Sequence, residues 1–204
     1  SGFHEPYLMG ANRRAGVGAP DYVKYMLSRP VKVQPGSEFV YSTADSILAG
    51  RMVEKAVGKR LSEYLYERFF EPLGQGFPIW ENCPQGHPIG GGGMFMTLSN
   101  MLKIGQVYLM DGKWKGQQLV DPAWIKEATA KQIETPNPGN DIWVCGYGYQ
   151  FWRNPYEDSY RADGAYGQLT MVLPKKGLIV AIQCPESGDL NKVKPVMHEL
   201  ILSL

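Results

Sequence analysis

Cysteine is scarce in this chain. Cys83, Cys145 and Cys184 are the only three among 204 residues. None sits in a C-x-x-C pair, and an odd number excludes a disulfide framework that uses every thiol. Free thiols in apolar surroundings are the expected state, and cysteine usage sets no compartment. Long apolar runs are missing too. Stretches such as 177–182 fall far short of the roughly 20 residues that cross a bilayer. Basic clusters never exceed two residues (Arg13-Arg14, Lys59-Arg60, Lys175-Lys176). With a formal net charge of +1, the chain offers no field for nucleic acid or an acidic polymer. His4, His87 and His198 have no metal-ligand spacing and no Cys or carboxylate cluster beside them, so no metal is expected. Gly90-Gly91-Gly92-Gly93 lacks the Gly-Lys-[Ser/Thr] ending of a phosphate loop. No internal repeat or low-complexity stretch occurs. The opening residues, Ser1-Gly2-Phe3-His4-Glu5, have no initiator Met and no basic start or apolar stretch of a signal peptide. The expectation is a piece of a longer product, or a processed one.

What is present is an ordinary globular balance, 44% hydrophobic and 20% charged, enough apolar surface for a sizeable core. The length suits one domain, or one and a part. Residues 1–19, rich in Gly and polar groups, read as an irregular opening segment. Apolar Tyr22, Val23, Met26 and Leu27 have helical spacing, and Pro30 stops that helix. Ala44, Leu48, Met52 and Ala56 recur every four residues. Ser42 or Thr43 can cap that helix, and Gly58 suits its left-handed stop. A further helix starts near Ser62, with Leu65, Phe69 and Phe70 inward, and Pro72 ends it. Residues 74–96 read as one long loop, a kind that is often functional. Helices follow over 98–110, capped by Thr97 or Ser99, and after Asp121-Pro122.

Beyond Asn140 the pattern changes. Residues 147–152 alternate aromatic with polar or small side chains, and 168–173 and 178–183 are β-rich runs joined by Pro174-Lys175-Lys176-Gly177. Aromatics so placed (Tyr147, Tyr149, Phe151, Trp152, with Tyr156 and Tyr160) belong to the core more often than to a cleft. Val193, Val196, Met197, Leu200 and Ile201 form the stripe of an amphipathic terminal helix. The fold class is therefore α+β: a mainly helical region over 1–140, then about three antiparallel strands and a terminal helix over 141–204, within one incomplete domain. A three-stranded sheet leaves open edges, which strands from a preceding segment would cover.

Several segments together resemble one family, the β-lactamase-like serine hydrolases, which include class C β-lactamases, D-alanyl-D-alanine carboxypeptidases and related esterases. Ser1-Gly2-Phe3 resembles the end of its "HTSGF" stretch. Pro35-Gly36-Ser37-Glu38-Phe39-Val40-Tyr41-Ser42-Thr43 resembles "PGxxFxYSN", and Glu71-Pro72-Leu73-Gly74 resembles "xPLGM". Gly91-Gly92-Gly93-Met94-Phe95-Met96-Thr97 resembles "GGGxxST". Ala162-Asp163-Gly164-Ala165-Tyr166-Gly167-Gln168 resembles the third-motif strand and its "GxGQ" continuation. Each piece alone is weak; in this order they cover nearly the whole chain.

The resemblance implies an acyl-serine mechanism without metal or cofactor. A serine attacks a carbonyl, a lysine one helical turn later in Ser-x-x-Lys helps activate it, a tyrosine shuttles protons, and backbone N–H groups hold the oxyanion. No Ser-x-x-Lys occurs in these 204 residues. In the family that motif precedes the "HTSGF" stretch, so the expectation is truncation: the parent acts on a D-peptide, lactam or ester, and this chain alone is inactive. Tyr41 is implied as the proton shuttle, a role that needs a phenol pKa well below the free value of about 10. Thr43 stands where the family has Asn, with a shorter reach to a substrate carbonyl; helix capping is its other reading. Gly164 lets substrate approach the strand margin, and the Ala165 N–H is implied as one oxyanion donor. Tyr41 and Gly164 are implied to line one pocket. Ala162 replaces the β-lactamase Lys, which favours esterase or peptidase relatives. Asp163 is read as a solvated turn carboxylate or as a ligand for a substrate amine. A non-catalytic module that keeps the cleft for a ligand or partner is the alternative, and the absent amino-terminal segment is a candidate partner. Relatives acting on cell-wall peptides are exported, so a periplasmic or secreted location is expected.

Overall fold

The computed structural model describes residues 21–165, 167–184 and 190–204. The opening segment 1–19, with Ser1-Gly2-Phe3 and His4, lies outside the described residues, as does Tyr166 of the third-motif stretch. The chain divides into two compact units, Ser1–Met96 and Thr97–Leu204. Residues 97–140 belong with the sheet because the first helix of the second unit packs on it.

In the first unit, α1 (Tyr22–Leu27) starts where the Asp21 carboxylate accepts the Lys24 N–H. Then α2 (Thr43–Val57) is capped by Ser42, whose hydroxyl accepts the Asp45 N–H, and is stopped by Gly58 at φ 68°. Thr43 is therefore the first helical residue and not the cap. Tyr22 and Met26 of α1 pack with Ala44 and Ile47 of α2 and with Ile89, and Leu48 lies against them. Met52 and Ala56 of the four-residue repeat are exposed, because the face of α2 that meets α1 turns away from them. Next comes α3 (Leu61–Leu65), continued by one π-helical stretch, Tyr66–Phe70. Phe70 is buried as expected, while Leu65 and Phe69 are only half-buried. The supposed long loop 74–96 contains a short antiparallel hairpin, β1 (Ile79–Trp80) with β2 (Met94–Phe95).

The second unit opens with α4 (Leu98–Leu109), capped by Thr97. A small hairpin follows, β3 (Lys113–Trp114) with β4 (Gln117–Gln118), which periodicity does not reveal. Then α5 (Pro122–Thr129) has Asp121 as its cap and Pro at its start. The main sheet has four antiparallel strands in the order β5 (Trp152–Arg153), β6 (Tyr160–Gly164), β7 (Gln168–Leu173), β8 (Leu178–Gln183). The strand expected over 147–152 is reduced to its end. Gln150 has φ 67°, which turns the chain back so that the Gly148 N–H donates to the Phe151 carbonyl. The expected count of about three strands rises to four because Tyr160–Gly164 is a full strand.

Strand pleat decides what each face of this sheet meets. Leu169, Met171 and Leu173 point to one face and are buried with Trp143 and with Met197 and Ile201 of α6 (Leu190–Ser203). Thr170 and Ile179 point to the other face, against α4. There Gly105 fits so closely that a Cβ would lie 2.7 Å from Ile179 Cγ2. Two helices on opposite faces thus bury the sheet. Val196 and Leu200 of the expected terminal-helix stripe are exposed. No described helix is long and apolar enough to cross a membrane.

Candidate functional site

The candidate residues are divided between the units: Tyr41 and Thr43 in the first, Asp163, Gly164 and Ala165 in the second.

In the first unit, Tyr41 is 51% exposed, immediately before the capped turn of α2. Thr43 is half-buried because the glycine segment lies on it. A Cβ on Gly91 would fall 2.5 Å from Thr43 Cγ2 and 2.8 Å from the Thr43 carbonyl oxygen. A Cβ on Gly90 would fall 2.5 Å from the Ser46 carbonyl oxygen. Only glycine allows this approach, so two motifs some fifty residues apart in sequence meet at the first turn of α2. The segment is held from behind. Trp80 Nε1 donates to the carbonyls of Ile89 and Gly92, 2.9 Å each. The Glu81 N–H donates to the Gly93 carbonyl, and the Ile89 N–H donates to the Glu81 carbonyl.

Farther along α2, Glu54 is a buried carboxylate. Its Oε1 accepts the Leu61 N–H at 2.9 Å, its Oε2 pairs with Arg51, and His87 Nδ1 lies 3.0 Å from Oε2. This side chain therefore ties α2 to the start of α3 and lies against the loop that leads into the glycines. Burial lowers the His87 pKa below 6.5; the charges of Arg51 and Arg60 add to this, and Asp21 opposes it.

In the second unit, Gly164 ends β6 opposite Gln168, and Ala165 is exposed just beyond. Ala162 is exposed on the strand and brings no charge. Asp163 is a strand residue rather than a turn residue, and its carboxylate is half-buried. It lies within β6, and its Oδ2 accepts the Nε–H of Arg161 at 2.8 Å. Arg161 is buried. Its Nη1 donates to the carbonyls of Trp143 (3.0 Å) and Arg153 (3.1 Å) and to Asn154 Oδ1 (2.7 Å). Its guanidinium carbon stands 5.9 Å from the Trp143 ring centroid and 5.6 Å from that of Trp152. The strand aromatics mostly build packing of this kind; Tyr160 is buried between Tyr108 and Phe151.

The sequence reading did not single out Glu54, His87 or Arg161. Arg161 had a faint signal: a charge two residues before Asp163 on a strand shares its face. For Glu54 and His87, which are far apart in sequence, periodicity gave none. His198 of α6 has its Nδ1 2.7 Å from the Tyr156 hydroxyl. The three cysteines are free and half-buried.

A model of the beta-lactamase family matches residues 1–193, and the chain belongs to that family. A stretch of 45 residues, 22% of this chain, is 42% identical to an Escherichia coli K12 protein named "Putative D-alanyl-D-alanine carboxypeptidase", and it covers 10% of that protein. Among solved structures, a "Putative 6-aminohexanoate-dimer hydrolase" from Bacillus anthracis is similar over 99% of this chain and 55% of its own, with TM-score 0.77 and 18% identity. A penicillin binding protein from Bacillus halodurans is similar over 88% of this chain and 62% of its own, with TM-score 0.69 and 18% identity. At such identities the likeness is one of fold. The chain spans little more than half the length of these solved neighbours and matches about a tenth of the carboxypeptidase.

Proposed function

We propose that this chain is the carboxyl-terminal part of a serine hydrolase of the β-lactamase, penicillin-binding or esterase type, whose nucleophilic serine and its lysine lie outside these 204 residues. In this reading Tyr41 relays the proton between serine and leaving group, and Thr43 hydrogen-bonds a substrate carbonyl. Gly164 admits the substrate to the strand margin, and the Ala165 N–H holds the oxyanion. The substrate is a D-peptide, lactam or ester. A small uncharged residue at 162 favours the ester and peptide members of that set, and the parent is exported.

The observation that carries this reading is the close seat of Gly90 and Gly91 on the first turn of α2. It unites the Tyr41 segment and the glycine segment, two of the stretches that carry the family resemblance. The test is acylation by a fluorescent penicillin and by an activated ester, run on this chain and on the full-length gene product. The expected result is no label on residues 1–204 and label on an upstream Ser-x-x-Lys serine. Label on any residue of this chain, or an upstream reading frame without Ser-x-x-Lys, overturns the proposal. The latter outcome supports the non-catalytic module instead.

A further inference from the structure

Arg161 stands out as a buried charge that the reaction outlined above leaves unused. Taking a guanidinium out of water is costly, and here its N–H groups meet three acceptors besides Asp163, with an indole ring on either side of it. The side chain is therefore a fixed point of the second unit. Arg161 and Asp163 are two residues apart on one strand, so both project to the α6 face. Their 2.8 Å bond runs along β6 toward its carboxyl end. That end is paired on one side alone, since β7 runs beside it to Gly164 while β5 reaches only Tyr160 and Arg161. Gly164 is the last residue in register, opposite Gln168, and Ala165 beyond it is exposed.

We propose that Arg161 is a positioning residue. Through Asp163 it fixes the end of β6, and with it the backbone N–H of Ala165 that stabilises the oxyanion. This rests on the function proposed above. It assigns Asp163 a tethering role in place of a bond to a substrate amine. Preorganised donors matter because a small displacement from the reacting oxygen costs rate while ground-state binding survives.

The test has two arms. In this chain, amide hydrogen exchange is followed by NMR for wild type, Asp163→Ala, Asp163→Asn and Arg161→Lys. The expected result for Asp163→Ala is about tenfold faster exchange at the protected amides of Asp163 and Gly164, with Met171 and Val172 unchanged. Asp163→Asn, which keeps an acceptor for the Arg161 Nε–H, is expected to restore most of the protection. Unchanged exchange in Asp163→Ala overturns the tether. In the full-length protein, Asp163→Ala is expected to lower kcat about tenfold with KM within about twofold, and Asp163→Asn to recover most of it. A rise in KM at unchanged kcat overturns the assignment and returns Asp163 to substrate binding. A full-length wild-type protein that hydrolyses nothing sinks the hydrolase reading, and the exchange arm still decides the tether.

Discussion

His87 Nδ1 approaches Glu54 Oε2 to 3.0 Å, so the loop that delivers the glycine segment lies against a buried acid on α2. The same carboxylate accepts the Leu61 N–H and pairs with Arg51. Removing it leaves a buried N–H at the start of α3 without its acceptor. Glu54→Ala is expected to destabilise the first unit by about 2–3 kcal/mol, and Glu54→Gln, which keeps an acceptor for Leu61, by about 1 kcal/mol less. Amide exchange of α2 and α3 reads this unit separately from the sheet. A loss under about 0.5 kcal/mol in Glu54→Ala shows that the clasp is ornamental.

The His87 pKa gives a pH dependence of known sign. Burial, with Arg51 and Arg60 nearby, holds it below 6.5 in the folded chain. The unfolded chain then binds a proton more readily than the folded one in the interval just under 6.5. Stability from this group is full above that value and is lost as pH falls through the folded pKa. His87→Gln is expected to flatten the stability profile in the interval just below pH 6.5. Equal slopes for wild type and variant contradict the assignment.

The rim predicts an asymmetry among glycines. Gly91→Ala places a methyl 2.5 Å from Thr43 Cγ2 and 2.8 Å from backbone, so loop or helix must move, at a cost of about 1–3 kcal/mol. Gly76→Ala meets nothing within 4 Å and has no positive φ, and it is expected to stay within about 0.5 kcal/mol of wild type. Denaturant midpoints of the two variants decide the matter; equal midpoints mean that Gly91 does not touch α2 as described.

Helix boundaries were legible because their causes are local. Ser42, Thr97 and Asp121 each place an oxygen where free N–H groups need one, and Gly58 supplies the left-handed stop. The runs 168–173 and 178–183 were readable for the same reason. The hairpin of β1 with β2 was not, since two-residue strands have no measurable period and owe their pairing to Trp80 and Glu81. The pairing of Asp163 was not legible, since its partner Arg161 is fixed by groups from Trp143, Arg153 and Asn154 that only the folded sheet brings together. Glu54 with His87 was invisible because nothing local marks a carboxylate that will be buried. Of the candidate site, the seat of the glycines on the turn of Thr43 was not legible, because a helix turn without room for a Cβ is a property of the folded chain.

The terminal helix offers the sharpest contrast between pattern and packing. An i, i+3, i+4 stripe marks Val193, Val196, Met197, Leu200 and Ile201 as one apolar face, yet a helix on a flat sheet buries a narrower strip than that. Met197 and Ile201 meet Trp143, Leu169 and Met171, and Ile201 is 0% exposed while Leu200 is 53% exposed. Truncating Ile201 therefore opens a cavity between helix and sheet, and Ile201→Ala is expected to cost about 3 kcal/mol. Leu200→Ala removes atoms that water already touches and is expected to cost no more than about 0.5 kcal/mol. Urea denaturation of both variants measures the difference. A cost above about 1 kcal/mol at Leu200 shows that the outward side of α6 is covered in solution, because only a contacting surface makes that leucine worth its apolar area.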